Sequence, residues 1–316
     1  MNRVLLGRSG LSIHPLVFGT LPMGPLQANL SPQEGGRLIR HALESGITLL
    51  DTAELYGSYS HIRSALDGYR GEVIIATKTH ASDPATAREH IEKALRELGR
   101  EQLDIVHLHA ARLPDPFSER ADVLELLLKL QKEGKIGSVG ISSHYVSAIR
   151  KAIDHPEIAV LHPLINRVGR GILDGTASDM ADAISAAAQA GKGVYAMKAL
   201  AGGNLISSAR ESLAYVRELP GVHAVALGML STREIDANLA FFEGQTLDTD
   251  CWQQLESRRR QLRIMSQFCK GCGFCATACT EGGLHMINGK AVVDANECVL
   301  CGYCAAACPE FIIRVV

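Results

Sequence analysis

Cys269, Cys272, Cys275 and Cys279 follow the spacing C-x2-C-x2-C-x3-C, and Cys298, Cys301, Cys304 and Cys308 repeat it, with Pro309 after the second run. Thiolates are soft anionic ligands. Three of them at i, i+3 and i+6 on one tight loop can reach three irons of a single cubane, while the displaced fourth points toward the other cluster. The spacing therefore implies two 4Fe-4S clusters with crossed ligation: Cys269, Cys272, Cys275 and Cys308 on one, and Cys298, Cys301, Cys304 and Cys279 on the other. Small residues around them, such as Gly271, Gly273, Gly302 and Ala305 to Ala307, would let backbone N–H groups approach the sulfides. Paired zinc sites are the alternative, but zinc cysteines usually come as separated C-x2-C pairs rather than two four-cysteine runs. Cys251 stands outside both runs and is read as an ordinary thiol.

A second set of groups is more dispersed. Asp51, Tyr56, Lys78 and His109 each fall at or just beyond the end of a predicted strand. A carboxylate, a phenol, an amine and an imidazole gathered in one place can hold and move a proton. Singly, each has a structural explanation: a barrel ion pair, a loop aromatic, a satisfied histidine. Their joint occurrence at the ends of three successive strands favours a site. His107, two residues before His109, lies deeper on the same face and is read as structural.

The elements that must position these groups alternate. Short β-branched runs near Leu16–Thr20, Ile47–Asp51, Val73–Lys78, Leu103–His109, Ile136–Ser142, Ala159–Asn166, Gly193–Leu200 and His223–Met229 are separated by longer amphipathic stretches, including Ser31–Ser45, Pro84–Leu98 and Arg120–Glu133. Ser31-Pro32 with Glu34, and Asp83-Pro84, are helix starts. Eight strands with crossover helices predict a (β/α)8 TIM barrel over residues 1–245, with its chemistry at the C-terminal strand ends. A linker helix is expected over 246–267, including the basic stretch Ser257 to Arg263, and a small α+β iron–sulfur domain over 268–316. Within the latter, Asn288-Gly289 between two apolar runs predicts a hairpin at 284–293.

Composition excludes several classes. The chain has 316 residues, 47% hydrophobic and 21% charged, with a formal net charge of −2, which is a globular composition without the basic excess of a nucleic-acid binder. No apolar run reaches the ~20 residues that span a bilayer. All nine cysteines lie beyond residue 250, marking a domain boundary. With no export signal at Met1–Gly10, a cytoplasmic location is expected, where crowded thiols are metal ligands rather than disulfides.

The C-terminal segment resembles the two-cluster bacterial ferredoxins, with Thr280 where a proline often follows the fourth cysteine. The barrel segment is similar to the aldo-keto reductases. The resemblance is carried by Asp51-Thr52-Ala53-Glu54-Leu55-Tyr56-Gly57, Ala76-Thr77-Lys78 and Asp104-Ile105-Val106-His107-Leu108-His109, by Leu6 to Leu11 at the entry hairpin, by Gly134-Lys135-Ile136 and Gly140-Ile141-Ser142, and by Lys198-Ala199-Leu200-Ala201-Gly202-Gly203. It covers residues 4 to about 243. That resemblance implies reduction of a small aldehyde or ketone by hydride from a nicotinamide. Tyr56 would be the general acid, Lys78 tied to Asp51 would lower the phenol's pKa, and His109 would orient the carbonyl.

The same resemblance implies a nucleotide site. Ser142 and Ser143 stand where the family has serine then asparagine to hold the carboxamide, and His162 where it often has glutamine. Met197 replaces the aromatic that stacks on the nicotinamide, Lys198 follows it, and Gly202 and Gly203 would admit the pyrophosphate. Arg233 and Asn238 would face the adenosine end, with Glu234 where the family places an arginine. NADP(H) is the expected nucleotide, NAD(H) the alternative. A nicotinamide moves two electrons and a cubane one, so the clusters could accept electrons from a partner protein, serve a flavin in the barrel mouth, or only stabilise a small fold. An electron-transfer module is therefore the second reading.

Overall fold

The computed structural model describes residues 2–246 and 249–316; Met1, Leu247 and Asp248, the last two within the expected linker, lie outside the described residues. A short hairpin, β1 (Val4–Leu5) and β2 (Ser12–Ile13), closes the bottom of the barrel. The barrel strands are β3 (Leu16–Gly19), β4 (Leu49–Asp51), β5 (Ile74–Thr79), β6 (Leu103–Ala110), β7 (Ile136–Ser143), β8 (Val160–Pro163), β9 (Gly193–Ala196) and β10 (Ala224–Gly228). They form one closed parallel barrel in chain order, with β10 pairing back to β3. The eight predicted strands are all present, within a few residues of their expected ends.

Helices α1 (Pro32–Glu44), α2 (Tyr59–Leu66), α3 (Pro84–Leu98), α4 (Pro116–Glu119), α5 (Ala121–Lys132), α6 (Val146–Lys151), α7 (Ala177–Gln189), α8 (Ala209–Glu218) and α9 (Thr232–Phe242) lie outside the strands. Local chemistry sets their starts. Ser31 and Glu34 form a reciprocal capping box at α1, Thr176 and Asp179 form another at α7, and Asp83 accepts from Thr86 N at α3. β5 is buried at every position, as a strand covered on both faces must be. Inside the barrel, Leu6 and Ile13 of the hairpin join Val17, Leu49, Ile105 and Tyr195 in a separate core, so the lower lumen is filled and the open end is the upper one.

Beyond the barrel come α10 (Thr249–Glu256) and then four strands and two short helices: β11 (Leu262–Ile264), α11 (Phe274–Thr277), β12 (Leu284–Ile287), β13 (Lys290–Val293), α12 (Tyr303–Ala307) and β14 (Ile313–Val315). The hairpin β12–β13 forms where Asn288-Gly289 predicted it, with both turn residues at positive φ. The basic stretch Ser257–Arg263 is not helical as expected. The helix ends at Glu256, and Leu262–Ile264 pairs antiparallel with Ile313–Val315. That partner comes from the far end of the chain, and local helix-favouring composition loses to it. Among the described residues no helix is long and apolar enough to cross a membrane.

Candidate active site at the barrel mouth

Asp51, Lys78 and His109 lie near the upper ends of β4, β5 and β6, and Tyr56 follows in the turn after β4. Lys78 Nζ donates to both carboxylate oxygens of Asp51, at 2.7 and 2.8 Å, and to the Thr52 carbonyl at 2.8 Å. The amine lies 4.9 Å from the Tyr56 ring centre, and His109 meets that ring edge-on at 6.3 Å. The four predicted side chains are thus one cluster. Burial, only partly offset by Asp51, lowers the Lys78 pKa. Burial and then Lys78 hold His109 well below the usual imidazole range, so it is neutral at pH 7.

Burial acts on the phenol as well. Tyr56 is held well above an ordinary phenol, first by burial and then by Tyr303, Asp51 and Cys301. The phenol is therefore kept as a proton carrier rather than as an anion.

Tyr195, on β9, is a member that sequence reasoning missed. Its hydroxyl donates to Asp51 Oδ1 at 2.9 Å and accepts from His107 Nε2 at 2.7 Å. His162 stacks on its ring at 4.0 Å and donates from Nδ1 to its carbonyl at 2.7 Å, which leaves His162 Nε2 as an acceptor. The available signal was strand alternation: Tyr195 sits two residues before Met197, and so faces inward with it.

A cavity of about 230 Å³ starts at Asp51, Tyr56 and His162, passes Met197, Lys198, Gly202 and Gly203, and ends at Leu230, Glu234 and Asn238. Its lining joins polar groups at Asp51 and Tyr56 with polar groups at Glu234 and Asn238. Of the predicted nucleotide contacts, these residues border it. Ser142 and Ser143 are buried outside its lining, and Ser142 Oγ has no hydrogen-bond partner among the described residues. His109 does not border it, and Arg233 is exposed away from it.

The roof of the cavity was not foreseen. It is made by Trp252 and Leu255 of α10, by Arg258 and Arg260, and by Val299, Leu300 and Cys301. Arg258 pairs with Glu234, and Arg260 donates to Gln27 Oε1. Gln27 Nε2 in turn donates to the Leu300 carbonyl at 3.2 Å, and Asn204 Nδ2 to the Cys298 carbonyl at 3.0 Å. Gly202, at φ 71°, faces the Val299 carbonyl so closely that a Cβ would collide with it. The close approach that this glycine permits is therefore used by the C-terminal segment. Tyr303 packs with Leu26, Ala53 and Tyr56.

Glu281, two residues after Cys279, completes this junction. Its carboxylate is buried 3.3 Å from His144 Nδ1, 3.4 Å from Arg112 and 4.0 Å from Lys198 Nζ. Burial opposes ionisation, but Lys198, His144 and Arg112 together hold its pKa down to about 2.

Six of the eight thiols gather in one small core. Burial and then Cys308, with Cys269 also near, raise Cys275, while Cys279 adjoins Cys298 and Cys301. Cys304 is pushed up to about 12 by burial and then by Cys301, Cys279, Cys298 and Cys275. Packing this many like groups into one small apolar core suits thiolates neutralised by iron far better than protonated thiols, so the donor set fits cubanes.

Polar groups at the upper rim of a closed parallel barrel define a TIM-barrel enzyme site, here roofed by a cysteine-rich domain. An aldo/keto reductase family model matches residues 15–205, more than half of the chain, and a 4Fe-4S dicluster domain model matches residues 261–309. The chain belongs to the aldo-keto reductase family, with a 4Fe-4S-type domain following its barrel.

Similar proteins include the methylglyoxal reductase DkgA of Yersinia pestis, 30% identical over 185 residues, or 55% of this chain and 65% of that protein. The match thus spans less than two thirds of that relative. A Pseudomonas aeruginosa structure provisionally assigned as an aldo-keto reductase superposes with TM-score 0.65 at 26% identity, covering 77% of this chain and 95% of its own. The holo form of a Bacillus halodurans aldo-keto reductase gives TM-score 0.64 at 23% identity, covering 81% and 95%, and shows the fold alone.

Proposed function

We propose that the chain is an NAD(P)H-dependent reductase of small aldehydes or ketones that also carries two 4Fe-4S clusters, on Cys269, Cys272, Cys275 and Cys308 and on Cys298, Cys301, Cys304 and Cys279. The observation that carries the reductase reading is Lys78, bound to Asp51, directly beside the ring of Tyr56, which lines the cavity with Asp51. A bound nicotinamide supplies hydride to the carbonyl carbon, and bound clusters supply single electrons.

The residues of this chain do the rest. Tyr56 donates its proton to the carbonyl oxygen, giving the alcohol, and Lys78 stabilises the phenolate left behind. Asp51, with Tyr195 and His107 behind it, holds the amine in place. Neutral His109 is the second donor beside Tyr56. His162 Nε2 would accept from the carboxamide of a bound nicotinamide, with Met197 beside it. Lys198, Gly203, Asn238, Arg258 and Arg260 line the same cavity and would hold the rest of the nucleotide. The substrate class follows the Yersinia relative, so methylglyoxal is the first carbonyl to test, and a cytoplasmic setting would supply both nicotinamide and reduced clusters.

Anaerobic turnover of cluster-replete protein with NADPH or NADH and methylglyoxal tests this reading, and it fails if Tyr56→Phe reduces carbonyls as fast as the parent. A second reading, in which the barrel serves a flavin or redox partner and the clusters relay electrons, is favoured by one observation: Cys301 borders the cavity that holds Tyr56. Anaerobic absorption and paramagnetic-resonance titration with NADPH separates the two, since cluster reduction by nicotinamide alone supports the relay.

A further inference from the structure

A second polar cluster stands at the same end of the barrel, outside the cavity. Glu54 lies in the turn between β4 and Tyr56, His80 follows β5, and His90 is on α3. One potential ligand atom from each lies within 4.8 Å of the others. Glu54 Oε2 is 3.8 Å from His80 Nδ1 and 3.9 Å from His90 Nε2, and the two rings are 4.9 Å apart. Both separations are too long for hydrogen bonds. The carboxylate is surrounded by imidazole nitrogens without bonding to either.

The far side of His90 is tied. Its Nδ1 lies 2.9 Å from Oγ1 of buried Thr79, which also accepts from Ala81 N at 3.3 Å. A hydroxyl has two acceptor lone pairs, so it can take the backbone N–H through one and His90 Nδ1–H through the other. In that tautomer Nε2 faces Glu54 with a lone pair free to ligate. Metal-bound histidines commonly fix their second nitrogen in this way.

We propose that Glu54, His80 and His90 bind a divalent transition ion of the zinc class through Oε2, Nδ1 and Nε2, with the remaining coordination positions open to solvent. Two imidazoles and one carboxylate are a zinc-type donor set. Bonds of about 2.0–2.2 Å in tetrahedral geometry put ligand atoms roughly 3.4 Å apart, so each imidazole needs to approach Glu54 by about half an ångström and the two imidazoles each other by at most about 1.4 Å. His80 is exposed enough to make that movement. Lys93 Nζ, 2.7 Å from Glu54 Oε1, acts in two ways. It orients the carboxylate so that Oε2 faces the rings, and its charge weakens the ion's binding.

The test is equilibrium dialysis of full-length, cluster-replete protein against micromolar Zn²⁺ under anaerobic conditions, with zinc and iron counted by mass spectrometry. The parent is expected to hold about one zinc per chain more than a His80→Ala/His90→Ala double variant of equal iron content, with His90→Ala alone weakening binding at least tenfold. Lys93→Met, which removes the repelling charge but no ligand, is expected to tighten binding several-fold. Equal zinc in parent and double variant, whether none or one, overturns the site. So does unchanged zinc affinity in His90→Ala at unchanged iron, because Nε2 would then not be a ligand.

Discussion

The barrel fills its lower lumen and packs every strand against helices, with more than fifty buried apolar side chains in one core. The segment from Leu262 onward has ten residues in its core, three of them Cys275, Cys304 and Cys308, and leaves Phe268, Phe274 and Phe311 more than half exposed. A barrel of this kind holds its shape through its own burial. A unit with so small a core needs a staple, and thiol-bound iron is the one its side chains offer. The two regions are nevertheless not independent, because the smaller one supplies the roof over the larger one's cavity.

The largest effect should come from breaking that dependence. Removing iron with a chelator under anaerobic conditions is expected to unfold the segment beyond Leu262 while the barrel stays cooperative. Limited proteolysis should then cut near Arg258 to Arg260 and leave a barrel fragment. A C-terminal segment that stays protected without iron would mean that its core suffices. Next in size is Tyr56→Phe, expected to lower kcat by about 10³-fold, the range of one positioned general acid, while cluster spectra stay unchanged. The parent should show no alkaline loss of kcat below pH 10 from this group. Its pKa is raised, so the phenol is still protonated there. An alkaline limb near pH 8 that disappears in Tyr56→Phe would reverse that assignment.

Glu281→Gln sharpens the comparison at the junction itself. The substitution leaves Arg112 and Lys198 facing one another without the carboxylate between them, and is expected to cost about 3 kcal/mol, the low end for breaking a buried ion pair. Anaerobic urea unfolding should show the loss, and proteolysis should show the C-terminal segment released from a barrel that melts as before.

Much of this was legible in the chain, for reasons that differ by region. Strand ends carrying Asp51, Lys78 and His109 could be read because β-branched runs and capping pairs such as Ser31 with Glu34 are local signals. The cysteine spacing was readable because it is local too. Tyr195, Glu281 and the roof were not. Tyr195 meets Asp51 across 144 positions, Asn204 meets Cys298 across 94, and Gln27 meets Leu300 across 273. Such contacts are set by barrel closure and docking, which leave no periodicity behind. Arg258 was misread for the same reason: its helix-like surroundings give way to a strand whose partner is the chain's last residues.

The smallest effect asks whether the two thiol sets feel different surroundings. Lys198 lines the cavity and acts on Cys301, holding its thiol down against the effect of burial, whereas Lys290 bonds the Cys269 carbonyl at 2.8 Å on the outer side. Adding an electron to a cluster is easier beside a positive charge. In cluster-replete protein, Lys198→Met should therefore lower one midpoint potential by on the order of tens of millivolts, and Lys290→Met should lower the other. Redox titration followed by paramagnetic resonance reads both. If each variant moved both potentials equally, the charges would be acting through the whole small domain, and the cavity would have no cluster of its own.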